Sequence, residues 1–277
     1  MHAYPAVVYL FLYAPIALIV LFSFNSGRQA SSFQGFSVQW YGKAFANQFV
    51  LDALQTSLVV AFSSALIATL FGTAAALALQ RVKGWLRIAF DALTYIAIMV
   101  PGIVIGIATL IALVTAFDAV NDLLAAIWPA DATATPRLGF GYASIIAAHS
   151  LFNMALVIVI VRARIAGMDR SLIEASADLY ATPFRTFYQV TLPLILPAVL
   201  AGFLLSFTFS MDDFVIAFFV AGSKVTLPIY VFSSIRRGVT PEINAIGTAV
   251  LATSLLLLFG AQLLLRRWAA PATRRAE

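Results

Sequence analysis

Asp169-Arg170-Ser171-Leu172-Ile173-Glu174-Ala175-Ser176-Ala177-Asp178-Leu179-Tyr180-Ala181-Thr182-Pro183 is the stretch on which the fold turns. It lies inside a connection, Gly167–Pro197, between two long apolar runs. At about 30 residues the connection is too long for a simple turn between helices. Ser171 and Glu174 have the spacing of a capping box, with the serine oxygen on a free helix N–H and the glutamate reaching back. That predicts a helix from Ser171 to about Tyr180. Thr182-Pro183 starts a second helix, threonine as N-cap and proline at the first helical position, running toward Val190. Pro193 and Pro197 are expected to interrupt or kink the start of the next apolar run. Ile173, Ala177, Tyr180 and Ala181 share one mostly small, apolar stripe. A knob of two short helices with such a stripe suits a cleft on another protein. It equally suits the bilayer surface, and local sequence does not choose between them.

Outward from this segment the chain is dominated by apolar runs: Pro5–Phe24, Ala53–Leu79, Ala89–Phe117, Tyr142–Val161, Leu194–Ala221 and Ala245–Leu265. Each is long enough to cross a hydrocarbon core of about 30 Å at 1.5 Å per residue. The second, third and fifth have length to tilt, bend or protrude. Over all 277 residues, 62% are hydrophobic and 10% charged, and mean hydropathy is +0.96. A soluble domain carries roughly 25% charged residues; this chain is built for lipid. The first run has no basic segment before it, so it is expected to be a retained helix, not a cleaved leader. No repeat or low-complexity tract interrupts the pattern, and residues 1–277 read as a single transmembrane domain.

Lysine and arginine set the expected orientation. Arg81, Lys83, Arg87, Arg162, Arg164, Arg170, Arg185, Arg266, Arg267, Arg274 and Arg275 fall on one side of a six-helix chain. Arg28, Lys43, Arg137, Lys224, Arg236 and Arg237 fall on the other. The richer side is expected to be cytoplasmic, together with both termini. The outer connections are Asn25–Asp52, Asp118–Gly141 and Gly222–Asn244. Most of their charges lie where short amphipathic helices are expected. Trp128-Pro129-Ala130-Asp131 and Thr135-Pro136-Arg137 mark a loop.

Glu174-Ala175-Ser176, then Tyr180-Ala181, then Val190-Thr191-Leu192-Pro193 resembles the EAA loop of permease subunits of bacterial ATP-binding-cassette importers. The family pattern is E-A-A, three residues, G, nine residues, I, any residue, L-P. The spacing here matches throughout. Ser176 stands for the second alanine, Val190 for isoleucine and Tyr180 for the glycine. Glycine eases a left-handed bend and tyrosine does not, so a bend of different geometry is expected. Phe22-Ser23-Phe24-Asn25, Trp40-Tyr41 and Pro101-Gly102-Ile103-Val104-Ile105-Gly106 extend the resemblance over nearly the whole chain. Ser210-Met211-Asp212-Asp213-Phe214-Val215-Ile216 and Val239-Thr240-Pro241-Glu242-Ile243-Asn244-Ala245 are similar to the second permease subunit of spermidine/putrescine importers, the putrescine type above all. The resemblance implies an all-α type I importer fold of six transmembrane helices in the bacterial inner membrane, with cytoplasmic coupling helices. It implies a second permease subunit, an ATPase dimer and a periplasmic substrate-binding protein as partners. ATP and magnesium would sit on the ATPase, leaving this chain without a cofactor. The coupling residues would be Glu174, Ala175, Ser176, Asp178, Tyr180, Ala181, Leu192 and Pro193.

Asp212 and Asp213 follow Leu194 by about 18 residues, or roughly 27 Å of helix. They are expected in the outer third of the membrane, where an ionised group needs a partner or water. Polyamine ammonium groups supply such partners, and Phe209 offers an aromatic face. On a continuous helix adjacent residues point about 100° apart, so both acids cannot face one path. Asp213 shares the more polar face with Ser206, Phe209 and Ser210 and is the preferred lining residue. Otherwise the acids cap a helix break or pair with Lys224, Arg236 or Arg237. Trp40 is read as an aromatic of the path or as an interfacial anchor, Pro101-Gly102 as a bend, His149 as a hydrogen-bonded interior residue, and His2 as exposed.

The sequence has no phosphate-binding G-x-x-x-x-G-K-[ST] loop, no metal-ligand spacing and no visible nucleophile–base pair. It has no cysteine. Its positive charge reports topology, not nucleic-acid binding. Against the importer reading stands a secondary transporter or channel using Asp212 and Asp213, or, more remotely, an anchor subunit of a membrane enzyme.

Overall fold

The computed structural model describes residues 3–28, 32–128 and 137–269. The turn residues 129–136, His2 and the arginines at 274 and 275 lie outside the described residues. Twelve α-helices follow in order: α1 Ala3–Ser23, α2 Gln39–Ala46, α3 Gln48–Ala78, α4 Trp85–Met99, α5 Gly102–Ile127, α6 Tyr142–Ala166, α7 Ser171–Asp178, α8 Pro183–Thr186, α9 Leu192–Asp212, α10 Val215–Val220, α11 Leu227–Arg237 and α12 Pro241–Ala269. There is no strand among the described residues; one isolated bridge pairs Asn25 with Phe36. Four stretches are long and apolar enough to cross a membrane: Gln48–Ala78, Gly102–Ile127, Tyr142–Ala166 and Pro183–Asp212. Val7–Ser23 is a shorter apolar helix.

Two of the expected runs are each divided. Ala89–Phe117 is split at Val100-Pro101 into α4 and α5, because Pro101 has no N–H to give α4 and its φ of −55° with ψ of 136° leaves the helix. Leu194–Ala221 ends as α9 at Asp212, and a new helix starts at Val215. At the start of that run the α-helix is interrupted, as expected, but by a π turn and not by a gap in the helix. Pro193 and Pro197 do not break it. Phe187–Thr191 instead forms one π turn that carries α8 directly into α9, the Leu192 N–H reaching back to Phe187 O. Widening the helix by one residue takes up the misfit that a proline ring causes.

The chain forms two compact units. The first joins the described residues up to Gln55 with those from Leu227 onward. There α12 packs on α1 and α2, and Ala44, Val50, Ala53, Leu227 and Ile246 form a buried cluster. Short helices of the kind expected around these charges are present as α2, with Lys43, and α11, with Arg236 and Arg237. The second unit is Thr56–Thr226. Its centre is α6, which meets α9, α10, α4 and α5. Val157 of α6 is fully buried, with Gly72 and Gly202 packed against it. Farther along, α10 lies on α5. A Cβ at Gly106 would stand 2.6 Å from Phe219 Cδ2, so the glycine permits the close approach. Pro101-Gly102 and Gly106 thus start and shape a packing face.

Candidate substrate path and coupling segment

The break between α9 and α10 gathers the polar groups of the second unit. Asp213 takes an extended conformation, φ −70° and ψ 115°, and ends α9. Its Oδ2 accepts the Ala217 N–H at 3.0 Å, holding the first turn of α10. The same oxygen stands 3.1 Å from His149 Nε2. His149 is 2% exposed, and its Nδ1 is 2.6 Å from Ser210 Oγ. Ser64 Oγ of α3 donates to Ser210 Oγ at 3.0 Å. One line of contacts, Ser64–Ser210–His149–Asp213, therefore ties α3, α9 and α6 together at the break.

The two acids have different surroundings. Asp213 is half-buried and engaged on both sides. Asp212, the last residue of α9, is exposed, and no hydrogen-bonding or ionic partner for it is found among the described residues. The two do not face a path from one continuous helix, because the helix stops between them. Ser210 is buried and its hydroxyl is committed to His149 and Ser64. Phe209 is open, 47% exposed, and makes an edge contact with Phe152 at 6.2 Å. Phe209 and Asp212 are three apart on α9 and so share a helix face. Trp40 belongs to the other unit. It is 7% exposed, gives its indole N–H to Asn25 O at 2.7 Å and lies under Lys43 Nζ at 4.3 Å.

His149 is the residue that sequence reading left outside the site. A signal for it was present: it is the one His, Asp, Glu, Lys or Arg in Tyr142–Val161. An ionisable group alone in one span and an acid pair in another are natural partners.

In the segment Gly167–Pro197 the expected capping box is absent. Ser171 is the first residue of α7, and its side chain caps nothing. Asp169 Oδ1 takes the Ser171 N–H instead, at 2.9 Å. A carboxylate two residues earlier is the better acceptor for a helix N-terminus. That N–H also holds the Asp169 carboxyl below the usual carboxylate range. Thr182 caps α8 as expected, its hydroxyl accepting the Arg185 N–H at 3.4 Å, with Pro183 next.

Tyr180 makes the left-handed bend that its side chain disfavours, with φ of 56°, and no other described non-glycine residue has a positive φ. The Ala181 N–H reaches Ser176 O at 3.1 Å and the Tyr180 N–H reaches Ala177 O at 2.9 Å. This is a Schellman end to α7 with tyrosine in the glycine place. The bend therefore keeps its geometry and bears the strain. The serine in the motif also has a use, since Ser176 Oγ and Thr186 Oγ1 are 2.8 Å apart and join α7 to α8.

The expected stripe divides. Ile173, Ala177 and Ala181 line a groove of about 650 Å³ with Leu77 and Ala78 of α3. Tyr180 does not join them; it is 96% exposed. Leu179 at 81%, Phe184 at 75% and Tyr188 at 61% are exposed too, and Phe184 stacks on Tyr188 at 6.0 Å. Glu174, Ala175 and Asp178 are exposed, Ser176, Ala181 and Leu192 half-buried, and Pro193 exposed. Glu174 borders a groove of about 490 Å³ with Arg87, Arg162 and Arg170.

A helical chain with several membrane-length apolar helices, one of them discontinuous, is a multi-pass membrane protein in class. Residues 68–274 match the family of binding-protein-dependent transport system inner membrane components. The chain belongs to that family and is a multi-pass inner-membrane permease subunit. It is 38% identical, over 93% of its length and 87% of the relative's, to the putrescine transport system permease protein PotI of Escherichia coli (strain K12). It is 36% identical, over 96% of both chains, to the spermidine/putrescine transport system permease protein PotC of Haemophilus influenzae. Its fold is that of a bacterial ABC transporter involved in the import of the acidic polysaccharide alginate, with a TM-score of 0.71 at 17% identity over 95% of this chain and 93% of that one. It also resembles the MetNI methionine ABC transporter, with a TM-score of 0.56 at 15% identity over 79% of this chain and 95% of that one. The family places the chain in a binding-protein-dependent system and sets aside the secondary transporter and channel. Carriers of an acidic polysaccharide and of methionine share the fold, so substrate must be argued from the site.

Proposed function

We propose that this chain is one permease subunit of an ATP-binding-cassette importer that carries polyamines, putrescine or spermidine, across the inner membrane. The observation that carries the substrate class is Asp212, an exposed carboxylate at the C-terminal end of a discontinuous membrane helix. The last carbonyls of α9 add negative potential there, since a helix C-terminus carries roughly half a negative charge. Phe209, one turn back on the same face, offers an aromatic surface to an ammonium group. Aligned charge of this kind attracts a diamine and repels an anion. Broken helices with exposed ends inside a membrane protein are where transporters place their substrates.

Six crossings are assigned to α1, α3, the α4–α5 pair, α6, α9 and α12, with both termini cytoplasmic. A second permease subunit completes the path and a periplasmic binding protein delivers substrate. An ATPase dimer holding ATP and magnesium supplies the energy, while lipid surrounds the outer faces. The ATPase docks on the segment Gly167–Pro197, with Glu174, Ala175 and Asp178 on α7 and the ring of Tyr180 at its tip. The role is mechanical: α8, the π turn and α9 form one rod from that tip to Asp212.

Two measurements test this. A tagged chain purified from its native membrane is expected to bring with it an ATPase and a second permease. Recovery of the chain alone would overturn the importer reading. Asp212→Asn is expected to lower uptake of radiolabelled putrescine or spermidine at least tenfold with the complex still assembled, the scale of losing a charge-assisted contact. Uptake at the wild-type level would remove Asp212 from the path.

A further inference from the structure

We propose that His149 is a positioning residue that draws Asp213 out of the translocation path, so that the break in the fifth span presents substrate with one carboxylate and not two. This rests on the reading of Asp212 as the substrate acid.

Two neighbouring aspartates at a helix break in a membrane would offer substrate two carboxylates unless one were engaged elsewhere. The structure engages one. His149 is almost fully buried, with Nδ1 bonded to Ser210 and Nε2 lying 3.1 Å from Asp213. Ser64 donates to Ser210, and Ser210 Oγ stands 2.6 Å from Nδ1, which leaves the Nε2 edge of the ring against the carboxylate. The carboxylate's second tie, to the Ala217 N–H, uses its charge to hold the start of α10. Asp213 is thereby occupied twice within the protein, while Asp212 is left open. Substrates differing by one ammonium group would register any change in the number of free acids.

The prediction is about preference, not only activity. In His149→Leu, Asp213 loses its partner and becomes the second acid of the path. Uptake of spermidine, with its additional amine, is expected to rise relative to putrescine by about fivefold, the worth of one added ion pair. His149→Leu with Asp213→Asn removes both members and is expected to restore the wild-type ratio. Asp213→Asn alone is expected to keep it, because that charge already lay off the path. His149→Gln, which keeps a donor at the site, is expected to give an intermediate ratio and serves if the leucine variant does not assemble. Competition uptake in whole cells reads all four against the amount of assembled complex. An unchanged ratio in assembled His149→Leu or His149→Gln would overturn the proposal. So would a shifted ratio in Asp213→Asn alone, or in the double variant. Wild-type uptake by Asp212→Asn would instead overturn the reading of the substrate acid, so the two failures are distinguishable.

Discussion

Tyr180 pays for its place in the bend. A left-handed conformation costs an L-residue with a side chain roughly 1–2 kcal/mol, and glycine avoids most of it. Strain of this kind persists where the surroundings or the function require it. The residue is 96% exposed, so burial of its ring within the described residues does not offset the strain. Tyr180→Gly is expected to stabilise the bend by about 1 kcal/mol, seen as greater resistance of the α7–α8 junction to limited proteolysis. The same variant is expected to retain about tenfold less ATPase on purification, since exposed aromatics serve as anchors at interfaces. Equal retention of the ATPase would leave the tyrosine without a docking role. Asp169 supplies a second prediction. Its folded pKa is depressed by the Ser171 N–H, so its stabilising contribution is present above the unfolded carboxylate value of about 3.9 and is lost as pH falls through the lower folded value. Hydrogen exchange at the α7 N-terminus is expected to speed up in that acid range, and Asp169→Ala is expected to show the faster rate already at neutral pH.

At the scale of elements, what was legible followed what each signal measures. Apolar run length reports burial in lipid, and it marked every long helix. It does not report continuity. Pro101 did divide a run, as its missing N–H requires, but Pro193 and Pro197 did not, because a π turn upstream relieved them. The end of α9 had no proline or glycine to announce it. Asp213 there takes the Ala217 N–H, the capping role its sequence position left open, while its contact with His149, 64 positions away, is not legible locally. The local grammar located the α7–α8 pair, whereas the cap of α7 went to Asp169 because two acceptors competed for one helix end. Gly106 belongs to the same scale. Its missing Cβ lets α10 lie on α5 at the Phe219 ring. Gly106→Val is expected to cost about 1–3 kcal/mol through overpacking, read as a lower melting temperature of the purified complex. Because α10 carries the break's second half, that variant is also expected to slow uptake.

For the whole molecule the untested quantity is orientation, and the composition makes it accessible. The chain has no cysteine, so any introduced thiol is the sole one. Phe36 and Leu179 are both exposed, at 74% and 81%, and the orientation proposed from the charge distribution predicts them on opposite sides of the membrane. In intact cells stripped of the outer membrane, Phe36→Cys is expected to react with a membrane-impermeant maleimide. Leu179→Cys is expected to react only after the inner membrane is opened. The reverse pattern would invert the topology and detach Gly167–Pro197 from any cytoplasmic ATPase. The same thiol then tests assembly. If the ATPase covers the tip of the α7–α8 bend, Leu179→Cys in opened membranes is expected to label more slowly with the ATPase present than after it is removed. Phe36→Cys is expected to label at one rate in both. A membrane-bound tip would be protected in both states, since lipid stays when the ATPase leaves. The two occupants that local sequence left open for this surface are thereby separated by one labelling rate.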